Sequence, residues 1–471
     1  MSIDYQKRQP GKSMILRLWN LVSKSEKTML PAGKEYDTWT KAQLVQRIRM
    51  LESPLVLEPK SEDIALEKCD GEETSGKGEK SKLDGGMKAL KKRKFDFSKF
   101  ETRFVALRFA YMGWNYNGLN YQQEPTPLPT VEQEILDAMT TAKLIPSADP
   151  ASCNFSRCGR TDKGVSALNQ VISLDIRSNL RKEDHAKKEF DIKELPYISI
   201  LNSLLPTDIR ITAVSLRPPP GFDARFSCTY RHYKYIFKKD GLDIDLMLQA
   251  AAMYEGPHDF RNFCKVDGSK QITNHVREVY SAKIIPLNED FYVFDLKGSA
   301  FLWHQVRCMI AILFLVGQKL EASSIVTDLL NVEKFPSKPA YEMANDIPLV
   351  LYDCVFPEME WLTLENDFEG KQKHKLRKEY NLYNGLLLDY QLKANVAKLM
   401  AETYLQSADV IKHNTEGGSV NIGNGNGRNF KNYIPLANRE LGETVEVINR
   451  RHREKKQRKQ ADAESIKSVD N

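Results

Sequence analysis

Two hydrophobic periods alternate along the chain from Phe95 onward. Val105, Leu107, Phe109 and Tyr111 recur every second residue, as in a strand with one buried face. The turn-prone pairs Met112-Gly113 and Asn117-Gly118 close that segment. Val131, Ile135 and Met139 then fall on one helical face behind Thr130, and Gln133 completes capping-box spacing. Residues 171–176 read as a second strand, 195–205 as a helix or loop–helix, and 209–216 as a strand stopped by Pro218-Pro219-Pro220. A comparable set begins near Phe222. It comprises a strand over 233–238, a helix over 243–254, strands over 276–285 and 291–298, and a largely apolar helix over 300–316. Two sets of mixed elements predict an α+β chain: two α/β lobes with mixed or antiparallel sheets around a central basic cleft.

The flanks differ in character. Residues 1–99 read as a charged leader with one short helix, where Thr40 opens a capping box and Leu44, Ile48 and Leu51 share a face. Residues 60–94 lack the apolar area to offset chain entropy and read as a disordered linker. The lobes then span 100–221 and 222–357. Residues 358–471 read as an extension with a helix over 383–405, a Gly/Asn-rich loop over 417–427 and a basic disordered tail.

Composition adds bounds. At 471 residues, with 41% hydrophobic and 28% charged, the chain is expected to be soluble and globular. The net charge of +6 permits a polyanionic partner without requiring one, but its placement is uneven. The run Lys91-Lys92-Arg93-Lys94 and the stretch 450–459 are strongly basic, fitting solvated tails, a nuclear address or an extra grip on RNA. Seven cysteines without a C-x-x-C pair argue against a zinc ribbon or disulfide framework. The longest apolar run, 309–317, is too short to span a bilayer, and residues 1–8 lack the apolar stretch of a secretory signal.

The segment richest in chemistry runs from Ser156 to Leu168. Gly159 and Gly164 permit unusual dihedrals and close backbone approach, and Arg160 and Asp162 lie between them. Read from physics alone, this is a surface turn with a local ion pair, or a loop presenting a carboxylate among cations. Gly159-Arg160-Thr161-Asp162-x-Gly164-Val165 resembles the G-R-T-D-x-G-V motif of the TruA family of pseudouridine synthases. That family usually continues with His where this chain has Ser166. Phe222-Asp223-Ala224-Arg225-Phe226-Ser227 before Tyr233-Lys234-Tyr235, then His258-Asp259-Phe260, then Ala300-Phe301-Leu302-Trp303-His304-Gln305-Val306-Arg307 are similar to further family blocks in the same order. Ile347-Pro348-Leu349 falls at the apolar edge of the family's pocket. The resemblance covers about 100–357 and is nearest the eukaryotic branch that modifies tRNA positions 38 and 39.

The resemblance implies a reaction and a site. Uridine is isomerised to pseudouridine in the anticodon stem-loop by breaking an N-glycosidic bond and rejoining the base through carbon. No atom is lost and no redox change occurs, so neither metal nor cofactor is needed. The chain carries no P-loop, dinucleotide fingerprint or metal-spaced His/Cys set. Asp162 either attacks the anomeric carbon as a nucleophile or abstracts a sugar proton on a glycal route. Arg307 is expected to pair with Asp162, because a guanidinium in an apolar helix ordinarily requires a partner and can lower a carboxylate pKa by roughly 1–3 units. Tyr233 falls at the family's active-site tyrosine, to stack on uracil or assist proton removal. Arg160 would fill the gap left by a flipped base or hold a phosphate. His304 reads as a structural or RNA-contacting histidine rather than a general base. Arg157, Lys163, Arg225 and Arg231 are expected phosphate contacts, and Ile347 and Leu349 expected pocket walls. The family further implies a homodimer, and the basic runs point to nuclear as well as cytoplasmic residence. The competing reading is a non-catalytic tRNA-binding protein of the same fold. An aspartyl-phosphate enzyme fits poorly, because the surroundings of Asp162 are basic where magnesium would need further carboxylates.

Overall fold

The alternation at 105–111 produces a strand, β1 (Thr102–Tyr111), whose Val105, Leu107, Phe109 and Tyr111 are buried. The structure, a computed structural model, describes residues 95–366, 373–405 and 418–469. The expected helix at Thr40, Leu44, Ile48 and Leu51, the linker at 60–94 and the run Lys91–Lys94 lie outside the described residues.

β1 pairs antiparallel with β3 (Ser166–Arg177) and β4 (Ile209–Ser215), and the short β2 (Ser156–Arg157) pairs with β3. Residues 222–357 supply β5 (Tyr230–Lys238), β6 (Gly256–Asp259), β7 (Val276–Pro286), β8 (Phe291–Gly298) and β9 (Leu349–Val355). With β10 (Leu362–Thr363) they form a ten-stranded mixed sheet in the order β10-β4-β1-β3-β9-β5-β8-β7-β6, β2 lying off this path on β3. The two strand sets meet at β9. It runs parallel to β3 (Ser166↔Val350, Ala167↔Leu351) and antiparallel to β5 (Leu351↔Tyr233). This α+β arrangement is the one expected. It brings the residue motif before β3, the pocket-edge segment before β9 and Tyr233 within three neighbouring strands.

Helices cover the sheet. α1 (Val131–Thr141) starts as its cap predicts, with Thr130 Oγ1 accepting from the Gln133 backbone N–H at 3.2 Å. The other half of the capping box is unmade, because the Gln133 side chain donates to Asp137 at 2.8 Å. α2 (Tyr197–Leu204) packs beside β4, and α3 (Ile244–Ala252) is capped by Asp243. α4 (Gln305–Gly317) packs on α3 and buries every residue except Arg307. α5 (Ile325–Leu330) completes this region. Among the described residues, no helix is long and apolar enough to cross a membrane.

Four elements differ from expectation. The apolar helix expected over 300–316 begins only at Gln305, because His304 adopts a left-handed conformation (φ 65°) that breaks helical continuity. Residues 300–304 become a loop, closed by the Leu302 N–H donating to Gln305 Oε1 at 2.8 Å. Part of the Gly/Asn-rich stretch forms a hairpin, β11 (Gly418–Val420) with β12 (Arg428–Phe430). The tail expected to be disordered is a helix, α7 (Val445–Val469). Its first turns have tertiary support that periodicity does not report. Val445 is buried, the Asn449 side chain donates to the Ile272 carbonyl at 3.0 Å, and Gln271 donates to the Asn449 carbonyl at 3.0 Å. Before it, α6 (Lys373–Leu405) starts well ahead of the expected residue 383.

Candidate active site

The loop between β2 and β3 carries Asp162, and the end of β1 clasps that loop. The Tyr111 hydroxyl and Thr161 Oγ1 lie 2.6 Å apart, the Leu119 N–H donates to the Thr161 carbonyl at 3.2 Å, and the Gly113 N–H donates to Ser166 Oγ at 3.0 Å. Ser166, the departure from the usual family His, thus supplies a compact acceptor at the root of the loop. The approach is too close for side chains. A Cβ on Gly113 would sit 2.0 Å from the Val165 carbonyl oxygen, and one on Gly118 2.9 Å from that of Thr161. Gly164 turns the chain at φ +82°, with the Val165 N–H returning to the Asp162 carbonyl at 3.2 Å.

The Asp162 side chain is held without closing it from solvent, being 28% exposed. Trp303 Nε1 donates to Oδ1 at 3.1 Å, and His304 Nε2 lies 3.3 Å from Oδ2. Both partners come from the loop that replaces the expected start of α4. The anticipated Arg307–Asp162 ion pair is absent: Arg307 Nε donates to the Ala344 carbonyl at 2.7 Å. The late helix start is the physical reason. It places Arg307 in the first turn, partly exposed and beside an accepting carbonyl, so burial does not force a carboxylate partner on it.

Tyr233 is buried at 8% exposure, with its ring edge-to-face on Phe301 at 5.1 Å. Burial pushes its phenol well above the ordinary range, so the hydroxyl stays protonated. Leu349 is buried and Ile347 is exposed, so only the former is enclosed by the fold.

The expected phosphate contacts divide into two groups. Arg160, Lys163 and Arg225 are exposed, and Arg225 lies over the Phe226 ring at 5.1 Å. Arg157 is instead committed to Glu132, whose carboxylate is fully buried and also accepts from the Tyr121 N–H at 2.7 Å. Arg231 is a staple. It donates to the carbonyls of Ser299 (2.8 Å), Cys158 (2.9 Å) and Arg225 (3.0 Å), tying β5 to the Asp162 loop. Both expectations are corrected: Arg157 offsets a buried carboxylate, and Arg231 holds three backbone carbonyls. A single sequence does not distinguish an arginine facing solvent from one spent on three carbonyls.

His304 has its pKa lowered, first by burial and then by the cations Arg307, Lys265 and Lys338, against an opposing pull from Asp162. A depressed imidazole stays neutral near pH 7, and its contribution to stability is present above its unfolded value of about 6.5 and lost as pH falls below that. An NMR titration should therefore place the His304 midpoint below 6.5. A midpoint above it would mean that Asp162 dominates and the pair is ionic.

Comparison with known proteins bears on this geometry. A family model described as tRNA pseudouridine synthase matches residues 250–357. The chain is 52% identical to the tRNA pseudouridine(38/39) synthase of Saccharomyces cerevisiae, covering 90% of this chain and 93% of that one. The chain belongs to the TruA-type tRNA pseudouridine synthase family. The human tRNA pseudouridine(38/39) synthase is 42% identical over 68% of this chain and 67% of its own length. The tRNA pseudouridine synthase A of Methanosarcina mazei is 32% identical over 50% of this chain and 81% of its own.

Family membership leaves some residues to the structure alone. Trp303, Glu132 and the glycines 113 and 118 were not singled out for the site by sequence reasoning. The only signal for the glycines was their turn-prone setting. The hairpin β11–β12 also reaches the site's support: the Asn345 N–H donates to the Ile422 carbonyl at 2.7 Å, beside the segment carrying Ile347.

Proposed function

We propose that this chain isomerises uridine to pseudouridine at positions 38 and 39 of the tRNA anticodon stem-loop, with Asp162 as the catalytic carboxylate. The observation carrying this reading is the setting of Asp162. Its loop is clasped by β1, one carboxylate oxygen accepts from Trp303 Nε1 while the other lies 3.3 Å from His304 Nε2, and Tyr233 lies two strands away across β9. A carboxylate among exposed Arg160, Lys163 and Arg225 has no purpose in phosphate binding alone, but suits attack on a sugar.

Asp162 acts on the anomeric carbon or on a sugar proton. Either route requires a carboxylate anion at this position. Tyr233 presents a protonated, desolvated phenol to the base, and Arg160 occupies the gap left by the extruded uridine. No cofactor is required for an isomerisation with no net redox change. The basic stretch within α7 fits nuclear as well as cytoplasmic residence, testable by fluorescence microscopy of a tagged full chain. Homodimerisation is likewise part of this proposal, and sedimentation equilibrium would show a mass near twice 54.0 kDa.

A carbodiimide primer-extension map of tRNA treated with purified protein tests the reaction. Stops at 38 or 39 are expected. Stops elsewhere would change the site within the family, and tight binding without stops on several tRNAs would favour a non-catalytic binding protein.

A further inference from the structure

His304 has a second side. While Nε2 reaches Asp162, its ring also lines a cavity of about 460 Å³ that Asp162 does not enter. That size lies within the roughly 300–1,000 Å³ typical of ligand sites. Lys265, Lys338 and Tyr341 line it, and the start of α7 supplies Val445 and Ile448 as an apolar wall. The C-terminal extension therefore builds part of a cavity next to the nucleophile.

The charge around the cavity is uneven. Arg261 also lines it, but its guanidinium is bound to Asp259 at 2.8 Å and lies 3.7 Å from Glu446. The lining Glu443 is paired with Arg451. Lys265 and Lys338 have no carboxylate at ion-pair distance among the described residues. Lys265 Nζ stands 4.8 Å from the Trp303 ring centroid, and Lys338 Nζ stands 4.2 Å from that of Tyr341 and 3.2 Å from Cys308 Sγ. The Tyr341 ring is fixed by its hydroxyl, which donates to the Asn262 carbonyl at 2.7 Å. Two uncompensated ammonium groups beside a fixed aromatic ring and an apolar wall match the chemistry of one nucleotide: anion, then flat base.

We infer that this cavity is a second nucleotide subsite, holding the residue next to the target uridine in the anticodon loop. The inference rests on the tRNA reading above. Lys265 and Lys338 take the phosphate, and the base lies against Tyr341 and the α7 wall. His304 is then a partition between the flanking nucleotide and the nucleophile, so filling one side orients the group that holds Asp162 on the other.

The test uses the full chain and a fluorescent anticodon stem-loop, with binding followed by anisotropy. Lys265→Gln and Lys338→Gln should each weaken binding several-fold and reduce the slope of log affinity against log salt by roughly 0.7. Each should also raise KM. Lys338→Arg, which keeps the charge and guards against a packing defect, should retain the wild-type slope. An abasic nucleotide beside the target should weaken binding by the wild type several-fold and by the double glutamine variant much less. Wild-type salt slopes in both glutamine variants would overturn the subsite, as would an equal abasic penalty in wild type and double variant. The binding arm reads without turnover, so failure to form pseudouridine would defeat the functional reading while these outcomes still judge the cavity.

Discussion

Asp162→Ala protein should form no detectable pseudouridine, a loss of roughly four orders of magnitude or more in kcat, while binding tRNA within a few-fold of wild type. The asymmetry follows from the structure. Asp162 is partly exposed, and its side chain is no keystone of the loop, which is fixed through Tyr111, Gly113 and Leu119 instead. Removing the carboxylate frees Trp303 Nε1 and His304 Nε2, both able to meet water, so the fold should tolerate the change. Asp162→Asn is the sharper form, because it keeps the shape and removes the charge. Single-turnover measurement of pseudouridine with saturating enzyme reads the chemical step. Turnover within tenfold of wild type in either variant would remove Asp162 from the reaction.

Gly113→Ala should be nearly as damaging to catalysis without touching a reacting group. A Cβ there meets the Val165 backbone oxygen at 2.0 Å, and backbone cannot swing aside as a side-chain tip would. Either β1's turn or the Asp162 loop must shift by an ångström or more. A displacement of that order costs about 10²-fold in rate at a reacting centre, and overpacking costs about 1–3 kcal/mol in stability. Thermal unfolding and kcat/KM should therefore both fall. Gly385→Ala is the matching control. No atom lies within 4 Å of its added Cβ, so it should gain about 0.5–1 kcal/mol of helix stability with activity intact. Wild-type kcat/KM in Gly113→Ala would show that the loop is not clasped as described.

Much of this architecture is legible in linear order, and the legible part has a common cause. β1, β8, α1 and α3 are elements whose burial pattern repeats within one segment, so their period appears in the residues themselves. The motif at 159–165 is legible too, and it points to a family only together with the blocks at 222–227, 258–260 and 300–307 that follow in order. The tail at 445–469 is the counterexample. Its composition reads as solvated, yet two hydrogen bonds between Asn449 and residues 271–272 anchor its start.

The candidate carboxylate and the blocks that carry the family resemblance are legible along the chain, as is the order of elements, since each depends on residues a few positions apart. The partners of Asp162 are not. Trp303 and His304 lie more than 140 positions away, brought near by the β3–β9–β5 junction and by one left-handed residue that delays α4. Those two facts also turn Arg307 toward Ala344. Arg157 and Arg231 show the same division on a smaller scale. Their charge is visible in the chain, but which of Glu132, Cys158 or a phosphate absorbs it depends on the folded backbone. Electrostatic pairing is set by distances of a few ångströms across strands, and that geometry exists only after folding.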